Sequence, residues 1–249
     1  MRAEADPGAA HLVPVRQVTG EKLIFWCLPA VAAMWVVAFL LFPGFVPPMS
    51  PTASATEVAD FYRDNSSRVQ WSMILFNWFG VAMIPMVLLI CERMRLMAHR
   101  TPVVRYCMIG VAGAAPIDML TSTIFWLIAA FRPDRSPELV LLCNDLAWIT
   151  FICGVPFLIG MCLFLALAIF YDGQSEPVFP RWIAWFNVAV AAALAPAAFA
   201  ALTLSGPLAW DGFISFWVRN AALTMWIVVM AVALRQAMKR PYPSIEGAA

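Results

Sequence analysis

The sequence is short of charged side chains. Only 12% of its 249 residues are Asp, Glu, Lys or Arg, and 63% are hydrophobic, whereas soluble domains have about 25% charged and about 45–50% apolar residues. With a mean hydropathy of +0.80, the chain lacks the polar surface of a water-soluble fold, so we predict an integral membrane protein. Its net charge of +1 provides no basic face, which excludes nucleic-acid binding as a main activity.

Histidine and lysine are nearly absent. His11 and His99 lie outside the apolar stretches, Lys22 stands at the entrance to the first stretch, and Lys239 follows the last. Intramembrane haem, di-iron and copper sites need histidine, and a retinal Schiff base needs lysine. The six cysteines form no CxxC pair, and no glycine-rich phosphate loop or dinucleotide fingerprint is present. We therefore predict no cofactor and no metal, and these absences argue against an enzyme.

What the sequence does contain is a series of six long apolar stretches. A spanning helix needs about 20 apolar residues. We predict an all-α fold, a single bundle of six transmembrane helices over residues 22–237, flanked by a polar cytoplasmic segment 1–21 and a cytoplasmic tail 238–249. The predicted spans are about 22–42, 68–91, 103–131, 138–171, 181–205 and 211–237, and the only long connection is the outer loop 43–67.

The distribution of positive charge predicts the orientation. If the N-terminus is cytoplasmic, eleven of the sixteen Lys and Arg residues fall on the inner side, four of them in the loop 91–105. The positive-inside rule therefore places both termini in the cytoplasm. The abundance of Arg and Ala over Lys is typical of GC-rich bacterial genomes, so we expect a multi-pass protein of the bacterial inner membrane.

The outer loop 43–67 divides into two parts. Residues 43–51 contain too many prolines for a helix. Ser54 and Glu57 then fit a capping box, and Val58, Phe61 and Tyr62 follow at helical spacing. We predict a short amphipathic helix over residues 54–64 that lies on the outer face, either as a lid over a cavity or only as a cover for helix ends.

Five of the six spans carry a proline near their middle. These prolines are Pro29, Pro85, Pro116, Pro156 and Pro196. Each is expected to bend its helix or to free a backbone carbonyl, because proline has no N–H to donate.

Three ionisable residues lie deep in the predicted spans. They are Asp118 in the third, Asp145 in the fourth and Arg219 in the sixth. Such groups cost roughly 2.5–3.5 kcal/mol each on insertion, so each needs a partner or a function. Counted from the span ends, Asp145 and Arg219 lie at similar depth. We predict that the three converge as one network in which both acids share the arginine, together with five neighbouring polar side chains: Asn77, Asn144, Asn220, Thr121 and Thr123.

Two interpretations of this network stay open. As a functional site, it would be a ligand-binding or proton-coupling site that opens outward, below the 54–64 helix. As a structural clamp, it would only fix which helices are neighbours. Replacement of Arg219 by Leu separates the two, because the clamp predicts loss of folded protein and the site predicts stable protein without activity.

The residues favour three functional classes. The first is an inner-membrane protein that binds or translocates a small, apolar or amphiphilic molecule through the polar site. The alternatives are a non-catalytic subunit of a larger membrane complex and an integral membrane enzyme that uses Asp118 or Asp145 as an acid or base. The expected partners are membrane lipids, an unidentified small molecule, and another membrane protein or a second copy of the chain.

Overall fold

The computed structural model describes residues 13–98 and 102–240, and within these ranges the regular structure is helical, with no strand. The polar segment 1–21 and the tail 238–249 lie largely outside the described residues. Six helices are long and apolar enough to cross a membrane, which confirms the predicted all-helical, multi-pass architecture. They are Gly20–Leu41, Ala55–Leu96, Val103–Phe131, Pro137–Phe170, Arg181–Leu202 and Phe213–Ala237.

Two of these spans are single α-helices that contain a proline. Helix α1 covers Val13–Leu41 with Pro29 inside it. The third span, which we label α4, covers Val103–Phe131 with Pro116 inside it. In both helices the chain passes the proline without a break in helical conformation.

Three spans are built from two pieces that meet near the other three prolines. The second span consists of α2 (Ala55–Ala82) and α3 (Ile84–Arg93), with Pro85 at the start of α3. The fourth consists of α5 (Pro137–Cys153) and α6 (Pro156–Phe170). The fifth passes from α7 (Arg181–Leu194) into the 3₁₀ segment Ala195–Leu202, near Pro196. Because proline cannot donate to the helical ladder, each of these joints loses a backbone hydrogen bond.

The sixth span begins in an irregular conformation. Phe213–Val218 form a π-helical turn, and α8 (Arg219–Ala237) continues from it. The turn is held from outside, because Ile214 N–H donates to the Pro207 carbonyl over 3.0 Å. Short π segments of this kind recur at functional sites, and this one delivers Arg219 to the first position of α8.

The separate helix predicted for residues 54–64 is not formed, because α2 continues without interruption from Ala55 to Ala82. The predicted capping box is present: Ser54 N–H donates to Glu57 Oε2 over 2.8 Å, and Glu57 N–H donates to Ser54 Oγ over 3.3 Å. No glycine or proline follows to end the helix, and the polar Asn65 side chain donates to the Phe61 carbonyl within it. The segment is therefore the first part of the second span.

Helix α4 packs against α2, α5 and α6, whereas α1 packs mainly against α2, and α7 against α6. The connections 42–54, 132–136 and 203–212 lie together at one end of the bundle, which we call the first-loop end. Residues 97–98, just after the second span, and the connection 171–180 lie together at the opposite end. Between the two ends, the helix joints at Met83 and Gly154 face a cavity.

Candidate functional site

A cavity of about 100 Å³ lies inside the bundle. Its wall is mostly apolar, with aromatic side chains from Trp35, Phe79, Phe151 and Trp226. Three polar side chains also line it, namely Asp118, Thr150 and Arg219. A mainly apolar cavity with a few polar groups is the usual composition of a small-molecule site.

Arg219 is almost fully buried, with 4% of its surface exposed. Its Nη2 donates to the Phe151 carbonyl over 2.6 Å, its Nη1 donates to Asn220 Oδ1 over 3.1 Å, and its guanidinium lies 4.5 Å from the centre of the Phe151 ring. Among the described residues, its Nε–H has no hydrogen-bond partner. The arginine is therefore held in place while one of its donors stays free.

The break between α5 and α6 explains why a backbone carbonyl is available to Arg219. After Cys153 the chain leaves helical conformation for two residues, and Pro156 starts α6. The last carbonyls of α5 therefore lack their usual helical donors. Arg219 supplies one of the missing donors at Phe151.

The same break brings Asp118 into the cavity wall. A Cβ atom on Gly154 would overlap the Asp118 carboxylate and would lie 2.7 Å from the Thr150 carbonyl oxygen. The carboxylate thus packs directly on the Gly154 backbone, and a larger residue has no room there. Over the described residues, Asp118 accepts no hydrogen bond and forms no ion pair with Arg219, although the two charges interact electrostatically across the cavity.

Asp145, the second predicted acid, belongs to a different polar group. The Tyr62 hydroxyl donates to Asn144 Oδ1 over 2.9 Å, and both side chains are buried. Asp145 lies beside this pair and interacts electrostatically with Tyr62. Neither Asn144 nor Asp145 lines the cavity.

The remaining predicted residues divide in the same way. Thr123 donates to Asn77 Oδ1 and joins α4 to α2. Thr121 donates to the Ile117 carbonyl of its own helix over 2.7 Å. Asn220 supports Arg219 and donates to the Phe216 carbonyl over 2.8 Å. The structure therefore brings Asp118, Arg219 and Asn220 to one place and leaves the other predicted residues in separate contacts.

Helix geometry accounts for the separation of Asp145 from Arg219. Arg219 reaches the carbonyl of Phe151, which is six residues and about 9 Å further along α5 than Asp145, and on another face of the helix. Counting residues from the span ends gives each Cα its depth. This depth does not predict which group a long arginine side chain contacts, because the side chain extends to a carbonyl on another helix.

An aromatic cluster adjoins the cavity through Phe151, which belongs to both. Phe45, from the proline-rich part of the outer loop, is fully buried. Its ring centre lies 4.7–6.1 Å from the ring centres of seven other aromatic residues. We call Phe45 and these seven residues the aromatic plug: Phe39, Phe42, Phe76, Trp126, Trp148, Phe151 and Phe216. This part of the loop therefore folds into the bundle instead of lying above it, and the outward opening of the site stays a prediction.

Three features of the site were missed by the sequence reasoning. The burial of Phe45 had no local signal, since a proline-rich loop predicts surface exposure. The Phe151 carbonyl belongs to the backbone and carries no residue signature. Gly154 had a usable signal, because a glycine two residues before Pro156 in an apolar stretch indicates a helix break and a close approach.

No family model, curated protein or solved structure matches this chain.

Proposed function

We propose that the protein binds or translocates a small amphiphilic molecule in the cavity between Asp118 and Arg219. One observation carries the proposal. Two opposite formal charges line the same apolar cavity without forming an ion pair within the described part of the chain.

The energetics of buried charge support this interpretation. A charged side chain at membrane depth costs roughly 2.5–3.5 kcal/mol on insertion. Direct pairing of Asp118 with Arg219 would offset part of this cost, yet each side chain is held apart by its own backbone contact, Asp118 at Gly154 and Arg219 at Phe151. A polar group bound between them would satisfy both, and their fixed positions reduce the entropy lost on binding.

Native mass spectrometry of the gently extracted protein tests the proposal. Asp118→Asn and Asp145→Asn form a matched pair, since both acids are partly buried in spans and only Asp118 lines the cavity. We expect a small molecule to be retained by the wild type and by Asp145→Asn, and to be lost from folded Asp118→Asn. Equal retention by the two variants, or no retained molecule in folded wild-type protein, contradicts the proposal.

We also propose that the first-loop end faces away from the cytoplasm of a bacterial inner membrane. The arginine-rich segment around Arg93, Arg95 and Arg105 at the opposite end supports this orientation. Fusions of alkaline phosphatase and of a fluorescent protein after Arg135 and after Arg240 test it. Phosphatase activity at the first position and fluorescence at the second are expected, and the reverse pattern contradicts the orientation.

A further inference from the structure

A second apolar space adjoins the cavity. It is a groove of about 380 Å³ between α1, α3 and α8. The groove and the cavity share four lining residues, which are Trp35, Phe79, Met83 and Ile227. The two spaces therefore adjoin at these residues, and the charged pair lies on the cavity side.

The groove faces the direction from which a lipid-dissolved molecule would arrive. Trp26 and Val36 of α1 and Val228 and Val232 of α8 line it and are exposed on the outside of the bundle. Its α1 side extends from Phe25 to Val36, a length of about 17 Å at the helical rise. The aromatic plug packs at the first-loop end of the bundle, whereas the groove lies at the side of the cavity.

The polar side of the cavity indicates which polar head group a ligand would carry. Arg219 provides a guanidinium and Asp118 a carboxylate acceptor on the wall of the same cavity, and their formal charges cancel. A hydroxyl group accepts one hydrogen bond and donates another, so it satisfies both partners. A carboxylate ligand would face Asp118, and an ammonium ligand would face Arg219, each with like-charge repulsion.

The two volumes indicate the shape of the molecule. An engineered cavity of about 150 Å³ holds one benzene ring, so the cavity of about 100 Å³ admits only a small head group. The longer groove suits an unbranched or narrow apolar chain.

Resting on the proposed function, we infer that the ligand is a neutral, hydroxyl-bearing amphiphile that enters sideways from the bilayer, with its head between Asp118 and Arg219 and its tail in the groove.

Photolabelling of the full-length protein in liposomes tests the inference. The probe is dodecanol with a diazirine in mid-chain and an alkyne at its end, and labelled peptides are mapped by mass spectrometry. Unlabelled dodecanol, dodecanoic acid and dodecylamine serve as competitors. Ala231→Trp fills the groove, and Ala192→Trp places the same side chain on the exposed side of α7 as a control.

We expect labels on α1 and α8 beside the groove. Dodecanol should compete at least about tenfold better than the acid or the amine, because each charged head group faces a like charge in the cavity. Ala231→Trp should reduce labelling and Ala192→Trp should not.

Stronger competition by the acid or the amine overturns the hydroxyl head group and leaves cavity binding intact. Labelling of cavity residues that Ala231→Trp does not change overturns the lateral route alone. Absence of any competed label on the folded wild type overturns this inference. The proposed function is overturned separately, by equal retention of the small molecule in Asp118→Asn and Asp145→Asn, or by no retained molecule in folded wild-type protein, in native mass spectrometry.

Discussion

The protein buries two arginines in very different surroundings. Arg93, with 2% of its surface exposed, forms an ion pair with Glu21 of α1 and donates to the Arg240 carbonyl at the opposite end of the bundle. Arg219 is buried to a similar extent in the middle of the bundle, and its nearest acid stands across a cavity instead of touching it. The first arrangement completes a structural contact. The second places an arginine and an acid on the wall of the same cavity.

Replacement of Arg93 by Leu should have the largest effect on folding. It removes the ion pair with the partly buried Glu21, and breaking a buried pair costs about 3–5 kcal/mol. We expect a loss of this size in the free energy of unfolding, measured by denaturant titration in mixed micelles. Arg93→Leu protein that still folds should retain the small molecule. If folded Arg93→Leu loses the small molecule, the two arginines do not differ in role.

Replacement of Arg219 by Leu should affect ligand binding more than folding, the opposite of what we expect for Arg93→Leu. The variant loses its hydrogen bond to the Phe151 carbonyl, which is worth about 1.5–3 kcal/mol for a charged donor. We expect folded protein, a smaller loss of stability than for Arg93→Leu, and binding of the dodecanol probe weakened by about tenfold or more. Unfolded protein in mild detergent would instead favour the structural clamp.

Gly154→Ala tests whether the position of Asp118 matters. The new methyl group would overlap the Asp118 carboxylate and the Thr150 carbonyl, and such overpacking costs about 1–3 kcal/mol. We expect weakened probe binding with α4 and α5 still packed. Gly113→Ala is the control, since a Cβ there meets nothing within 4 Å, and equal losses of binding in both variants would refute the steric argument.

The smallest expected effect is on the pH dependence of stability, and it involves Asp211 at the first-loop end. Burial raises the pKa of Asp211, and a hydrogen bond to Ser50 partly opposes this shift. The folded state therefore binds the proton more tightly than the unfolded state, so stability should decrease as the pH rises from the ordinary value of 3.8 through the raised pKa. Asp211→Asn should flatten this part of the stability profile. A profile unchanged by the substitution would show that Asp211 does not contribute.

The spans were predictable because membrane thickness and hydropathy constrain them strongly. Pro85, Pro156 and Pro196 also marked joints that the structure contains, since the missing N–H acts within one helix turn. By contrast, Ser54 and Glu57 correctly marked the start of a helix but not its length, because capping is a local interaction.

The site was less predictable because it depends on contacts between helices. Burial of Phe45 is decided by aromatic residues on four other segments. The partner of Arg219 is a backbone carbonyl freed by a joint in another span. The charges of Asp118, Asp145 and Arg219 indicated that something polar lies at depth. They did not indicate which acid would face the arginine, because that depends on helix rotation.

The most direct test is an experimental density map of the wild-type protein in lipid nanodiscs, examined at the cavity. We expect Asp118 and Arg219 to remain apart, with non-protein density between them that continues into the groove between α1 and α8. A direct Asp118–Arg219 ion pair that fills the cavity, with no such density, would contradict it.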